Sequence, residues 1–152
     1  MSVAVRLQEL GIELPPVSAP VAAYVPAVVH DGLVYTSGQL PFVAGALPET
    51  GKVGADVDAD AAKGYARTCA LNALAAAADA AGGIDRIAGV LRVGGFVASD
   101  PSFTGQPGVI NGASEVLGEI FGEAGAHARA AVGVPVLPLD SPVEVEVTFI
   151  LA

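Results

Sequence analysis

Residues 142–151, Pro-Val-Glu-Val-Glu-Val-Thr-Phe-Ile-Leu, leave the chain little choice. Strict alternation of valine with a polar residue has a period of two, which only a strand satisfies. Val143, Val145 and Val147 must face a core, and Glu144 and Glu146 the opposite side. The run His-Ala-Arg-Ala-Ala-Val-Gly-Val at 127–134 precedes it and is predicted to be a buried strand holding Arg129. A guanidinium is rarely placed in such surroundings without a partner. Arg129, Glu144 and Glu146 are therefore expected on neighbouring buried strands, as a small polar site in an apolar body. On these residues alone, Arg129 also suits a structural ion pair to either glutamate. Glu144 suits a partner role as well as a catalytic one, and Glu146 a structural or subunit contact.

The remaining elements follow from punctuation. Residues 2–10 fit a short amphipathic helix ended by Gly11, and Pro15, Pro16 and Pro20 enforce an extended connector. An apolar, β-prone stretch at 21–29, a turn at His30-Asp31-Gly32 and a strand at 33–37 make a hairpin. Gly38 to Val53 is loop. From Asp56 an alanine-rich helix runs to Gly82-Gly83, with Tyr65, Cys69 and Asn72 on one line and Leu71, Leu74 and Ala78 on another. A strand at 86–98, a loop at 99–108, a second helix over 107–122 and strands at about 128–134 and 142–151 complete the order β-β-α-β-α-β-β. That order specifies an α+β sandwich with two helices on one sheet face.

Composition narrows the function. The 152 residues suit one domain, 1–152. The chain is 53% hydrophobic but only 5% aromatic, so its core of small side chains buries little area per residue and favours burial against further copies. Seven Lys and Arg against sixteen Asp and Glu give a net charge of −9, which argues against nucleic-acid binding. A small anionic ligand remains compatible, because one desolvated arginine overrides a distant surface charge. A single cysteine, Cys69, excludes an internal disulfide and a Cys-rich zinc site, and suits a packed thiol. His30 and His127 are too far apart for a metal motif. No run is long and apolar enough to span a membrane or serve as a signal peptide. A cytoplasmic protein without metal, cofactor or membrane partner is the expectation.

Several ordered motifs carry a resemblance. Tyr24 is followed by Tyr35-Thr-Ser-Gly-Gln-Leu-Pro41, then Pro48-Glu-Thr-Gly-Lys-Val53, Cys69-Ala-Leu-Asn72, Phe96-Val97, Val109-Ile-Asn111, Arg129, Leu137-Pro138 and Val143-Glu-Val-Glu146. Over residues 18–151 their order and spacing resemble the Rid (YjgF) family, whose best-known type is RidA. The resemblance implies a homotrimer with a chorismate-mutase-like fold, clefts between subunits, no metal or cofactor, and hydrolysis of reactive 2-imino and enamine acids to 2-keto acids and ammonia. It implies that Arg129 grips the substrate carboxylate, that Glu144 helps hold the attacking water, and that Tyr24, Ser37, Gly38 and Asn111 line the cleft. The position often held by cysteine in the family is Ala131 here, and its backbone carbonyl is expected to serve the water site. Other departures are a longer 99–108 loop, an extra segment at about 1–17, and Val25-Pro26-Ala27 after Tyr24, together suggesting a sister subgroup.

The chemistry stands beside the resemblance. A 2-imino acid offers a planar carboxylate that a guanidinium fork matches, and a carbon already electrophilic. Holding the acid and placing a water suffice. The alternative is a non-catalytic trimer that binds a small carboxylate in the same cleft. The endoribonuclease (L-PSP) label that the family also carries is disfavoured by the charge. A hold-type chaperone would need a large apolar patch on the assembly. Without the resemblance, Tyr24 and Tyr35 are core or interface aromatics, Ser37-Gly38-Gln39 an ordinary loop, and Asn111 a polar residue satisfying its helix. Residues 127 and 129 share a strand face, so His127 falls beside Arg129.

Overall fold

A computed structural model describes residues 1–17 and 23–152. The predicted α+β sandwich is present, with the short helix expected at 2–10 in front of it. The order is α1 (Val3–Glu9), β1 (Ala27–His30), β2 (Leu33–Thr36), α2 (Ala59–Ala81), β3 (Ile87–Ala98), α3 (Gln106–Phe121), β4 (Ala128–Val134) and β5 (Val143–Leu151). Pro20, part of the predicted connector, and the start of the β-prone stretch at 21–29 lie outside the described residues. Residues 23–26 of that stretch are described and form no strand, so β1 begins only at Ala27 and runs through His30.

The five strands form one mixed sheet in the order β1-β2-β5-β3-β4. β1 and β2 pair across a two-residue turn, His30 opposite Leu33. Asp31 and Gly32 both take positive φ, 49° and 77°, the mirror-image turn whose twist matches a hairpin. β3 runs parallel to β4, and the other pairs are antiparallel. The parallel pair needs a crossover, which α3 supplies. β5 then inserts between β2 and β3.

α2 and α3 cover one face of the sheet. α2 starts at Ala59 with Asp58, not Asp56, in the N-cap position; the Asp56 carboxylate instead accepts from the Lys52 backbone N–H at 3.0 Å. It ends where the sequence dictates, on Gly82 in the left-handed region (φ 86°). Its alanines 62, 66, 70, 73 and 77 are wholly buried. Their small side chains admit both the sheet and α3; at Gly112 of α3 any Cβ would collide with the Lys63 carbonyl of α2. The larger apolar area comes from Phe149, Leu74, Ile110 and Leu117, each fully buried and each worth about 1.5–3 kcal/mol. α1 docks beside this layer: Arg6 Nε donates to the Glu119 carbonyl (2.9 Å), and Asp85 accepts from the Ala4 backbone N–H (2.9 Å).

β5 keeps its predicted alternation. Val143, Val145, Val147 and Phe149 are buried under the helices, while Glu144, Glu146 and Thr148 face the other way. β4 departs from prediction. Among the described residues it is an edge strand, paired with β3, and none of its own residues is fully buried. Its small residues belong to an edge, not to a two-sided interior.

Candidate functional site

The predicted site residues fall into two groups on opposite faces of the sheet. The first group lies between α3 and β4. Arg129 stands beside Val93 of β3 and Ala131 beside Gly95. Val93 and Gly95 face the helix layer, so Arg129 and Ala131 point there too. On α3, Pro107, Asn111 and Ser114 are spaced i, i+4, i+7 and share a line. The guanidinium reaches that line at both ends. Arg129 Nη1 donates to Ser114 Oγ at 3.1 Å, and Nη2 donates to the Pro107 carbonyl at 3.1 Å. Among the described residues no carboxylate forms an ion pair with Arg129. Its positive charge is held by neutral acceptors, and three of its five N–H donors remain for a ligand. Asn111 is half-buried on the same helix line.

The second group lies on the uncovered face, around Glu144. The Gln39 and Val145 backbones exchange hydrogen bonds of 2.8 and 3.0 Å, which lays the segment after β2 along β5. Gly38 is thereby pressed against Glu144. A Cβ at residue 38 would overlap the Glu144 carboxylate and lie 2.8 Å from its Cδ, so only glycine fits there without displacing the acid. Buried Asn72 anchors the same segment from α2, its Nδ2 donating to the Leu40 (3.0 Å) and Phe42 (3.2 Å) carbonyls. Ser37 ties in the chain beside Tyr24: its Oγ donates to the Val25 carbonyl (2.6 Å) and its N–H to that of Pro26 (2.8 Å). Tyr24 itself is half exposed.

Burial raises the Glu144 carboxyl above the ordinary glutamate range, and repulsion from Glu146 adds to the effect. Glu146 has a structural partner, Arg92 Nη1 at 3.7 Å. A carboxyl raised in this way takes up a proton from a water more readily than an ordinary glutamate.

The expected joint site of Arg129 with Glu144 and Glu146 does not form within one chain. β3 separates β4 from β5, with Val93 opposite both Arg129 and Val147, and Phe96 opposite Glu144. Arg129 points to the helix side and the glutamates to the open side. The prediction took strands adjacent in sequence as adjacent in space, and the parallel crossover breaks that link. The structure adds two Arg129 partners that sequence reasoning missed, Ser114 and the Pro107 carbonyl; the only signal was their spacing from Asn111.

No cluster of three or more His, Cys, Asp or Glu able to hold a metal occurs among the described residues. None of the described helices is long and apolar enough to cross a membrane.

Residues 4–150 match the family described as "YjgF/chorismate mutase-like, putative endoribonuclease". The chain is 44% identical over 147 residues to protein TCP17 of Trypanosoma cruzi, covering 95% of this chain and 91% of that protein. It is similar to the crystal structure of Atu1372 of Agrobacterium tumefaciens, a protein of unknown function (43% identity, TM-score 0.90, 99% of this chain and 92% of that one). It is also similar to RidA of an Antarctic Psychrobacter (29% identity, TM-score 0.62, 88% of this chain and 93% of that one).

Proposed function

Because the chain belongs to the YjgF/chorismate mutase-like family, to which RidA proteins belong, we propose that it hydrolyses small 2-imino and enamine acids. The cleft would be shared between copies of a homotrimer. The observation that carries this reading is the state of Arg129: a guanidinium fixed from behind by two neutral acceptors, with no carboxylate among the described residues to cancel it. Such a group is built to receive an anion.

The division of the site supports assembly. Arg129, Asn111 and Ala131 from one copy would meet Tyr24, Ser37, Gly38 and Glu144 from the next. The open sheet face favours contact with further copies, since Val28, Tyr35 and Val132 stand half exposed on it.

In this reading Arg129 binds the carboxylate and holds the C=N carbon near Glu144. A water held by Glu144 attacks that carbon while the carboxylate takes a proton. The resulting carbinolamine receives a proton on nitrogen, its C–N bond breaks, and the hydroxyl becomes the carbonyl. The products are a 2-keto acid and ammonia, with no oxidant or reductant required. Enamines enter after tautomerising to the imine.

The test is a coupled assay with freshly generated 2-iminopropionate and 2-iminobutyrate, following loss of the imine. Wild type should accelerate it, and Arg129→Ala, folded and assembled like wild type, should not. Absence of acceleration by wild type, with binding of 2-keto acids retained, would instead assign a binding protein using the same cleft.

A further inference from the structure

We propose that His127 and Ser114 are positioning residues: a neutral imidazole, through the serine hydroxyl, sets the direction of Arg129. This rests on the reading of Arg129 as the carboxylate-binding group. The geometry is a chain of three hydrogen bonds with one sense throughout. His127 Nδ1 lies 2.6 Å from the Gly125 carbonyl, which can only accept, so Nδ1 carries a proton. His127 Nε2 lies 2.8 Å from Ser114 Oγ. That same oxygen accepts from Arg129 Nη1 at 3.1 Å. With a bare Nε2, the serine hydroxyl donates to the ring, accepts from the guanidinium, and is satisfied on both sides. With a protonated Nε2, the hydroxyl oxygen would accept from both sides and its own proton would have no acceptor among the described residues. The neutral Nδ1–H tautomer is the arrangement that closes the network.

The elements make this more than a surface contact. Gly125 ends the turn that joins α3 to β4, and its buried backbone admits no Cβ, which would stand 2.7 Å from the Leu117 carbonyl. The ring is therefore anchored on a fixed carbonyl. Ser114 sits on α3, which packs on the sheet through Ile110 over Gly95. Arg129 is the second residue of β4, two residues after His127. The other guanidinium arm is fixed by the Pro107 carbonyl, in the first turn of the same helix. Both arms of the fork are thus set by one helix, and the histidine locks the rotor of the only hydroxyl involved. A rotor left free would let the fork swing, and an ion-pairing fork out of plane loses its bidentate fit.

The test uses full-length protein with 2-ketobutyrate as probe, bound by wild type, Arg129→Ala, Ser114→Ala, Ser114→Thr and His127→Phe. Alanine is a good helix former, so Ser114→Ala keeps α3. Ser114→Ala and His127→Phe should each weaken the probe roughly tenfold, and Ser114→Thr, which restores the hydroxyl, should recover most of it. With imine substrate, KM should rise by a similar factor while kcat stays within about twofold, the mark of a lost ground-state contact. Nitrogen-15 NMR at mildly alkaline pH should show His127 protonated at Nδ1 and bare at Nε2. Ser114→Ala binding like wild type, or a ring protonated at Nε2 alone, would overturn the relay. Equal binding by wild type and Arg129→Ala would instead sink the functional reading, and the NMR result would still decide the relay.

Discussion

Gly38→Ala puts a methyl group where the structure has a carboxylate. The new Cβ would overlap Glu144 Oε1 and come within 2.8 Å of Cδ and 3.1 Å of Cγ. The whole end of the glutamate must move, and the backbone cannot retreat, because Gln39 is bonded to Val145 on the next residue. The atoms met are the far part of a flexible, half-exposed side chain, so swinging it aside costs about 0.5–1.5 kcal/mol. At this chain length each kcal/mol lowers Tm by about 2–4 °C, giving a fall of roughly 1–6 °C. Displacing Glu144 by about an ångström should lower kcat between tenfold and a hundredfold, with KM for the carboxylate changed far less. Gly64→Ala is the control: it lies within α2 and a Cβ there meets nothing within 4 Å. It should stabilise by about 0.5–1 kcal/mol and leave activity unchanged. Calorimetry and the imine assay on the two variants decide the matter. A Gly38→Ala protein with wild-type Tm and kcat would refute the claim that residue 38 is glycine to make room for Glu144.

Other expectations follow from the same geometry. Glu144 has a raised carboxyl in the fold, so the folded state holds its proton to higher pH than the unfolded chain, and stability falls as pH rises through that window. Glu144→Gln should therefore melt above wild type at neutral pH and level with it under acid, and melting at a series of pH values will show whether it does. Repulsion from Glu146 is part of that shift, so Glu146→Gln should move the acid limb of the kcat/KM profile to lower pH; an unmoved limb would remove Glu144 as the titrating group. Cys69 is fully buried and burial pushes its thiol well up, so it should resist a thiol reagent until the protein unfolds. Rapid labelling of native protein would contradict the packing of α2 on β5.

Much of this was legible in the chain. The valine–glutamate alternation of 143–147 survives residue for residue in burial. Gly82, the Asp31-Gly32 turn and the proline near the start of α3 act where local conformational preference puts them. What sequence could not supply was lateral order. Alternation fixes which side of its own strand a residue takes, but not which strand lies alongside. β3-α3-β4 closes as a parallel crossover, and β5 passes over β4 to pair with β3. Arg129 and Glu144, fifteen residues apart, thereby end on opposite faces. Arg129's environment was misjudged for a related reason: its strand is apolar through alanine and glycine, which tolerate an edge as well as an interior. Its true partners, a hydroxyl and a first-turn carbonyl of one helix, carry no pattern of their own.

The central claim is that Arg129 of one copy works with Glu144 of another. Arg129→Ala and Glu144→Gln proteins, each inactive alone, should be unfolded together, refolded at equal amounts and assayed on 2-iminobutyrate. In a cyclic trimer every mixed assembly then has one site that draws both intact residues, so random mixing should restore about a quarter of wild-type activity. A mixture as inactive as its components, though co-assembled, would contradict the account, since it would mean that both residues must come from the same chain.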